Sequence, residues 1–155
     1  MPLVSDGLHI RLAVPDDAET IAAFNRAMAL ETENKSLNEN VSVRGVGAVL
    51  ADPQLGRYYV VSDRHDVHAS LMVTYEWSDW RNGLFWWVQS VYVRPERRRA
   101  GLFSRLYQFV KNEAQRDERV CGLRLYVERE NTSAQATYRR LGMHTESYDI
   151  MEQLF

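Results

Sequence analysis

Residues 84–93, LFWWVQSVYV, constrain this chain more than any other stretch. They are rich in β-formers, and both alternating faces are apolar. A strand apolar on both faces must be covered on both. It therefore belongs at the centre of a sheet with a packed layer on each side. Pro95 follows and ends the ladder. Asn82-Gly83 precedes the run and signals a hairpin turn, which joins it to an earlier strand, ASLMVTYEW (69–77).

The rest of the chain supplies the layers. Residues 8–14, 57–63 and 120–128 read as strands, and SYDIMEQL (147–154) reads as a closing strand that could also pair across subunits. Ile21, Phe24 and Met28 recur at helical spacing and predict a helix over about 17–31. A second helix is expected at about 39–51, against the local cost of Gly45 and Gly47. Residues 101–115 place Leu102, Leu106, Phe109 and Val110 on one stripe. Residues 131–142 start on cap residues and stop at Gly142. The order β-α-α-β-β-β-α-β-α-β predicts an α+β (mixed α/β) fold with helices packed on a mixed sheet. The length of 155 residues suits one domain over 1–155.

Charge and cysteine content narrow the function. The net charge is −2, which argues against broad nucleic-acid binding, so basic chemistry must be local. Cys121 is the one cysteine, so no intrachain disulfide forms; this suits a reducing, cytoplasmic setting. MPLVSDGLHI has neither a basic start nor a long apolar core, and no 18-residue apolar run occurs, so no membrane association is expected. His9, His65, His68 and His144 show no metal-ligand spacing, and no metal is expected.

The local positive charge sits at one strand-to-helix junction. Arg94, Arg97, Arg98 and Arg99 precede Ala100-Gly101 and the helix. A helix N-terminus offers unpaired N–H groups and a partial positive charge. Gly101 lets the backbone approach a ligand closely, and arginines add bidentate donors. The junction therefore fits a pyrophosphate cradle or a solvated basic turn, and on charge alone the turn is the commoner case. One strand later, Asn131 and Tyr138 lie seven residues apart and share a helix face, with Ala134 between them. That face suits either a ligand or a capped amphipathic helix with Tyr138 in the core.

Together these segments resemble the GCN5-related N-acetyltransferases. The resembling pattern is V-x-P-x-R-R-x-A-G-L before one helix and N-x-x-A-x-x-x-Y-x-x-x-G-M on the next. The Trp-bearing hairpin TYEWSDWRNG is similar to that of the spermidine/spermine and thialysine acetyltransferase branch. The family pattern Gln/Arg-x-x-Gly-x-Gly/Ala becomes Arg98-x-x-Gly101-x-Phe103 here, with Phe103 in place of a small residue. The resemblance implies a mostly antiparallel sheet with a splayed central strand and about four helices. It implies acetyl-CoA as donor, coenzyme A as product, a small amine as acceptor and a homodimer. Val91, Tyr92 and Val93 would pair with the pantetheine arm. Arg98, Arg99, Ala100, Gly101, Leu102, Phe103 and Ser104 would surround the pyrophosphate. Asn131, Ala134 and Tyr138 would face the cofactor.

The implied chemistry sets its own demands. A lysine-like amine is about 3.4 pKa units from neutrality at pH 7, a cost of about 4.6 kcal/mol. Tyr138 suits a general acid toward the departing thiolate. A main-chain N–H near Val91 suits an oxyanion donor. Where polyamine-acetylating relatives carry a carboxylate, this chain has Gln89, which can hold a water but takes no proton. Glu76 and Asp79 in the aromatic hairpin are the nearby carboxylates, and Glu76 is the candidate base. Trp77, Trp80, Trp86 and Trp87 suggest an aromatic-walled acceptor site, with Trp77, Trp80 and Gln89 as candidate contacts and core packing the expectation for at least one of adjacent Trp86 and Trp87. Two other readings stay open on the residues: a non-catalytic acyl-CoA-binding module, favoured by Gln89 and Phe103, and, more weakly, an RNA-binding patch.

Overall fold

The computed structural model describes residues 7–155. Five strands form one sheet in the order β1-β2-β3-β4-β5: β1 (His9–Leu12), β2 (Arg57–Ser62), β3 (Val67–Ser78), β4 (Gly83–Val93) and β5 (Val120–Leu125). Every neighbouring pair is antiparallel except β4 and β5, which run parallel. Four helices flank the sheet: α1 (Ala18–Glu33), α2 (Glu39–Ala51), α3 (Leu102–Arg116) and α4 (Thr132–Arg140). The doubly apolar run is a strand flanked on both sides, as expected of a central element.

Alternation along the strands builds two cores. Leu71, Val73, Trp86 and Val88 face α3 and pack with its Leu102, Leu106 and Val110. On the other face, Tyr58, Val60 and Tyr92 pack with Ile21 and Phe24 of α1 and Val46 of α2. Local chemistry positions the first two helices. Asp17 accepts from the Val14 amide at 2.8 Å and from both Arg11 guanidinium nitrogens at 2.7 and 3.1 Å, which fixes the chain entering α1. Asn38 caps α2 by accepting from the Val41 amide at 3.0 Å. Only Val46 of α2 is buried, so Gly45 and Gly47 leave no packing gap, and the helix runs through both.

Two boundaries differ from expectation. Strand β5 stops at Leu125 rather than 128, because its ladder to β4 ends at the Val88–Leu125 pair. The closing strand expected over 147–154 does not form: residues 143–155 contain no helix or strand, and 144–155 are all exposed. The alternation of that segment is real, but a strand also needs a neighbour to accept its N–H and C=O groups, and the single chain offers it none.

Candidate active site

The site begins with a defect in β4. Ser70 pairs with Tyr92 and Met72 with Gln89, so Leu71 alone opposes both Ser90 and Val91. This is a β-bulge, with Ser90 in the left-handed region at φ 51°. Beyond it β4 and β5 part. Ser70 and Ala69 still hold Tyr92 and Val93 on the β3 side, but 91–93 have no ladder partner on the β5 side. The predicted cofactor-pairing residues thus form an open strand edge inside the sheet, ready to accept an extended, amide-bearing chain as a strand would be accepted.

The junction after β4 is equally specific. Pro95–Arg97 forms one 3-10 turn, and Arg99 and Gly101 both take positive φ, 65° and 78°. At Gly101 an added Cβ would meet nothing within 4 Å, so glycine is required there by backbone conformation and not by crowding. The first helical bond runs from the Arg105 amide to the Gly101 carbonyl at 3.1 Å, which leaves the amides of 102–104 ahead of it. Arg99, Ala100 and Ser104 are exposed, while Leu102 anchors the turn in the core. Arg98 donates to the Val93 carbonyl and to Glu31 at the end of α1, each at 2.9 Å, and lies over the Tyr92 ring. It ties the turn to both β4 and α1. These features fit an anionic group at the head of α3.

Phe103, the departure from the family pattern, has a visible partner. Its ring meets Tyr138 edge-on, with centroids 5.7 Å apart, and Tyr107 at 6.1 Å. It fills the space between α3 and α4 that a small residue would leave. Burial pushes the Tyr138 phenol above its ordinary value, so it stays protonated through the neutral range. Asn131 caps α4, its side-chain oxygen accepting from the Ala134 amide at 3.1 Å. Ala134 is half-buried on the same helix.

Of the remaining predicted residues, Gln89 and Glu76 lie on the sheet face that carries α1 and α2. Gln89 donates its side-chain amide to the Thr74 hydroxyl. Glu76 lies farther along β3, four residues past Gln89's partner Met72, about 13 Å along the strand. Its Oε1 accepts from Arg124 at 2.7 Å and from the Trp87 indole at 3.2 Å. Gln89 and Glu76 therefore share a face but not a contact. Trp77 is opposite Leu84, on the α3 side, and Trp80 sits on the hairpin turn, 87% exposed; neither joins Gln89.

Of the adjacent tryptophans, Trp86 is core and Trp87 belongs to this face, stacked on Tyr126 with centroids 4.5 Å apart. Arg124 lies over the Phe85 ring at 3.7 Å. Sequence reading missed Arg124 and Tyr126. The alternation of β5 held the signal, since both fall on the parity opposite the core residues Leu123 and Leu125. A cavity of about 540 Å³ lined by Arg57, Trp86 and Glu113 sits at the other end of α3, about 22 Å from Gly101, and takes no part in this geometry.

A bulged, splayed central strand running into a left-handed glycine and a helix N-terminus suits a protein that holds an extended ligand ending in an anionic group. A model of the acetyltransferase (GNAT) family matches residues 22–143, and the chain belongs to that family. It is an N-acetyltransferase by that membership. A crystal structure of a possible acetyltransferase from Clostridium difficile 630 is similar over 96% of this chain and 97% of that one, with 48% identity and a TM-score of 0.90. An integron cassette protein from the mobile metagenome of Cole Harbour Salt Marsh shares the fold at 23% identity, covering 94% and 89% of the two chains with a TM-score of 0.80. So does a predicted acetyltransferase from Clostridium acetobutylicum solved with acetyl-CoA, at 14% identity, 94% and 96% coverage and a TM-score of 0.77. Among curated proteins none matches.

Proposed function

We propose that this chain uses acetyl-CoA to acetylate a primary amine of a small molecule within one ternary complex. The observation that carries this reading is the open edge of β4 at 91–93, aimed at the head of α3. The thioester supplies the activated acetyl group. Main-chain groups of 91–93 align the pantetheine arm, and Arg98, Arg99 and the amides of 102–104 neutralise the pyrophosphate. An N–H near Val91 stabilises the oxyanion. Tyr138 Oη carries the proton that the leaving sulfur takes up.

On the acceptor side, the Gln89 side-chain oxygen orients the amine or its water, since the amide nitrogen is engaged by Thr74. Glu76 is the candidate carboxylate. Its Oε1 is committed to Arg124 and Trp87, so Oε2 receives the amine's proton, through water across the intervening strand length. The Trp-bearing hairpin supports placing the chain near the spermidine/spermine and thialysine branch. Gln89, in place of an acid, supports an acceptor less cationic than a polyamine. We take the protein to act as a single 1–155 domain, in the cytoplasm and as a homodimer; no helix among the described residues is long and apolar enough to cross a membrane.

The test is calorimetric binding of acetyl-CoA followed by thiol release across an amine panel. Expected are saturable binding, turnover with at least one uncharged-tailed amine, and a rate drop in Tyr138→Phe with binding unchanged. Binding without turnover on any amine would select the non-catalytic module instead. Absence of binding would refute the cofactor reading.

A further inference from the structure

The cavity at the far end of α3 holds about 540 Å³, a size that takes a small organic molecule. Arg57, at the start of β2, and the core residue Trp86 of β4 form its inner wall. Its mouth is made by Glu113 and Arg116 of α3 and by residues 117–119 just beyond that helix. None of these residues has a role in acetyl transfer.

Arg57 is the unusual member. Its guanidinium is half-buried, 5.0 Å from the centre of the Trp86 ring and 5.9 Å from that of Tyr75. Its Nε donates to the Tyr75 hydroxyl at 2.9 Å and its Nη1 to the Tyr59 hydroxyl at 3.5 Å. Two phenols and two rings fix its position, but they bring no full negative charge. Among the described residues no carboxylate forms an ion pair with it. A cation drawn out of water normally has a counter-charge.

The mouth does not supply one, because most of its charges are already matched. Arg116 pairs with Glu113 at 2.7 Å. Arg119 pairs with Asp117 at 3.0 Å, and Asp117 also accepts from the Arg119 amide at 2.9 Å. Two charges are left over. One is Arg57 inside. The other is Glu118 at the mouth, which is exposed and has no cation paired with it among the described residues. Helix α3 ends at Arg116, so its last carbonyls and the negative end of its dipole add to the Glu118 side. The cavity thus has a positive pole on its aromatic wall and a negative pole at its mouth.

We propose that this cavity binds a small zwitterion of the amino-acid type, with its carboxylate on Arg57 and its ammonium toward Glu118 and the end of α3. The carboxylate takes the N–H groups of Nη1 and Nη2 that the phenols leave free, a bidentate hold. A plain carboxylate would meet the negative mouth without compensation, and a plain amine would meet Arg57, so both poles select. The cavity lies about 22 Å from Gly101, so a molecule held here is not placed for acetyl transfer. Binding here is a second property of the chain, separate from the reaction proposed above.

The experiment uses the full chain without acetyl-CoA. Glycine, β-alanine and γ-aminobutyrate are titrated in turn, with butyrate and butylamine as controls, and backbone and indole N–H shifts are followed by NMR. At least one amino acid should bind at least about tenfold tighter than either control, moving the amides of 113–119 and the Trp86 indole. Arg57→Gln and Glu118→Gln should each weaken that binding. So should Arg57→Lys, because an ammonium lacks the fork. Glu118 is exposed, so its variant keeps the parent fold even where the loss of Arg57 unsettles the aromatic wall. No binding by any of the three, or shifts confined to 91–93 and 131–138, would overturn the site. Butyrate bound as tightly as the amino acids, or binding unmoved by Glu118→Gln, would overturn the zwitterion.

Discussion

Helices α3 and α4 both carry residues of the proposed cofactor site and are held in opposite ways. α3 buries Leu102, Leu106, Tyr107, Val110 and Ala114 against the sheet. α4 buries none; an Asn131 cap and the Tyr138–Phe103 ring contact hold it. The proposed phosphate-binding head is thus built on buried core, and the proposed proton donor Tyr138 rides on a helix that buries no residue. Precise placement of anionic groups needs a fixed amide array. A proton donor beside a site that admits and releases two substrates tolerates more freedom.

The largest expected difference between the two helices is in packing. Leu106→Ala, at a fully buried position, should cost about 2–5 kcal/mol in denaturant unfolding, whereas Leu141→Ala just past α4 should cost under about 1 kcal/mol. Equal losses would erase the contrast. Gly101→Val comes next. No side chain crowds the site, so the cost of about 1–2 kcal/mol is backbone strain at φ 78°. Relieving that strain reorients the amides of 102–104, so acetyl-CoA affinity in calorimetry should fall by more than stability does. Asn131→Ala should remove about 1 kcal/mol from α4 alone. Hydrogen exchange would rise in 132–140 while the global melting temperature stays put; a matching global drop would mean that α4 is part of the main cooperative unit.

The smallest effect is on Tyr138. Burial raises its phenol, so the protonated form is present below the unfolded value and is lost as pH rises through the higher folded one. Spectroscopic titration should therefore find Tyr138 ionising above about 10. Phe103→Ala opens that environment and should move the midpoint back toward the ordinary value. No movement would mean that Phe103 does not shield the phenol.

Much of this contrast was legible in the chain. Both apolar faces of 84–93 called for a central strand, and Pro95, the arginines and Gly101 marked the turn into α3. The stripe on α3 is strong because its apolar positions are unambiguous. The face that carries Gln89 and Glu76 was less legible. Trp86 and Trp87 are adjacent and chemically identical, and only the strand's parity assigns one to the core. Trp77 was expected near the acceptor but lies on the opposite face. Glu76 was singled out, yet its Arg124 and Trp87 partners come from β5 and β4 and carry no mark in its own neighbourhood.

By itself the sequence determined the order of elements through α4, the glycine at the entry to α3 and the capping of α4, because these depend on residues a few positions apart. Tertiary structure decided the bulge at Ser90, the parting of β4 from β5, the pairing of Phe103 with Tyr138 and the unpaired state of 147–154. Each of these depends on which strand or ring arrives from a distant part of the chain, and a backbone amide or a ring edge accepts whatever partner the fold brings to it.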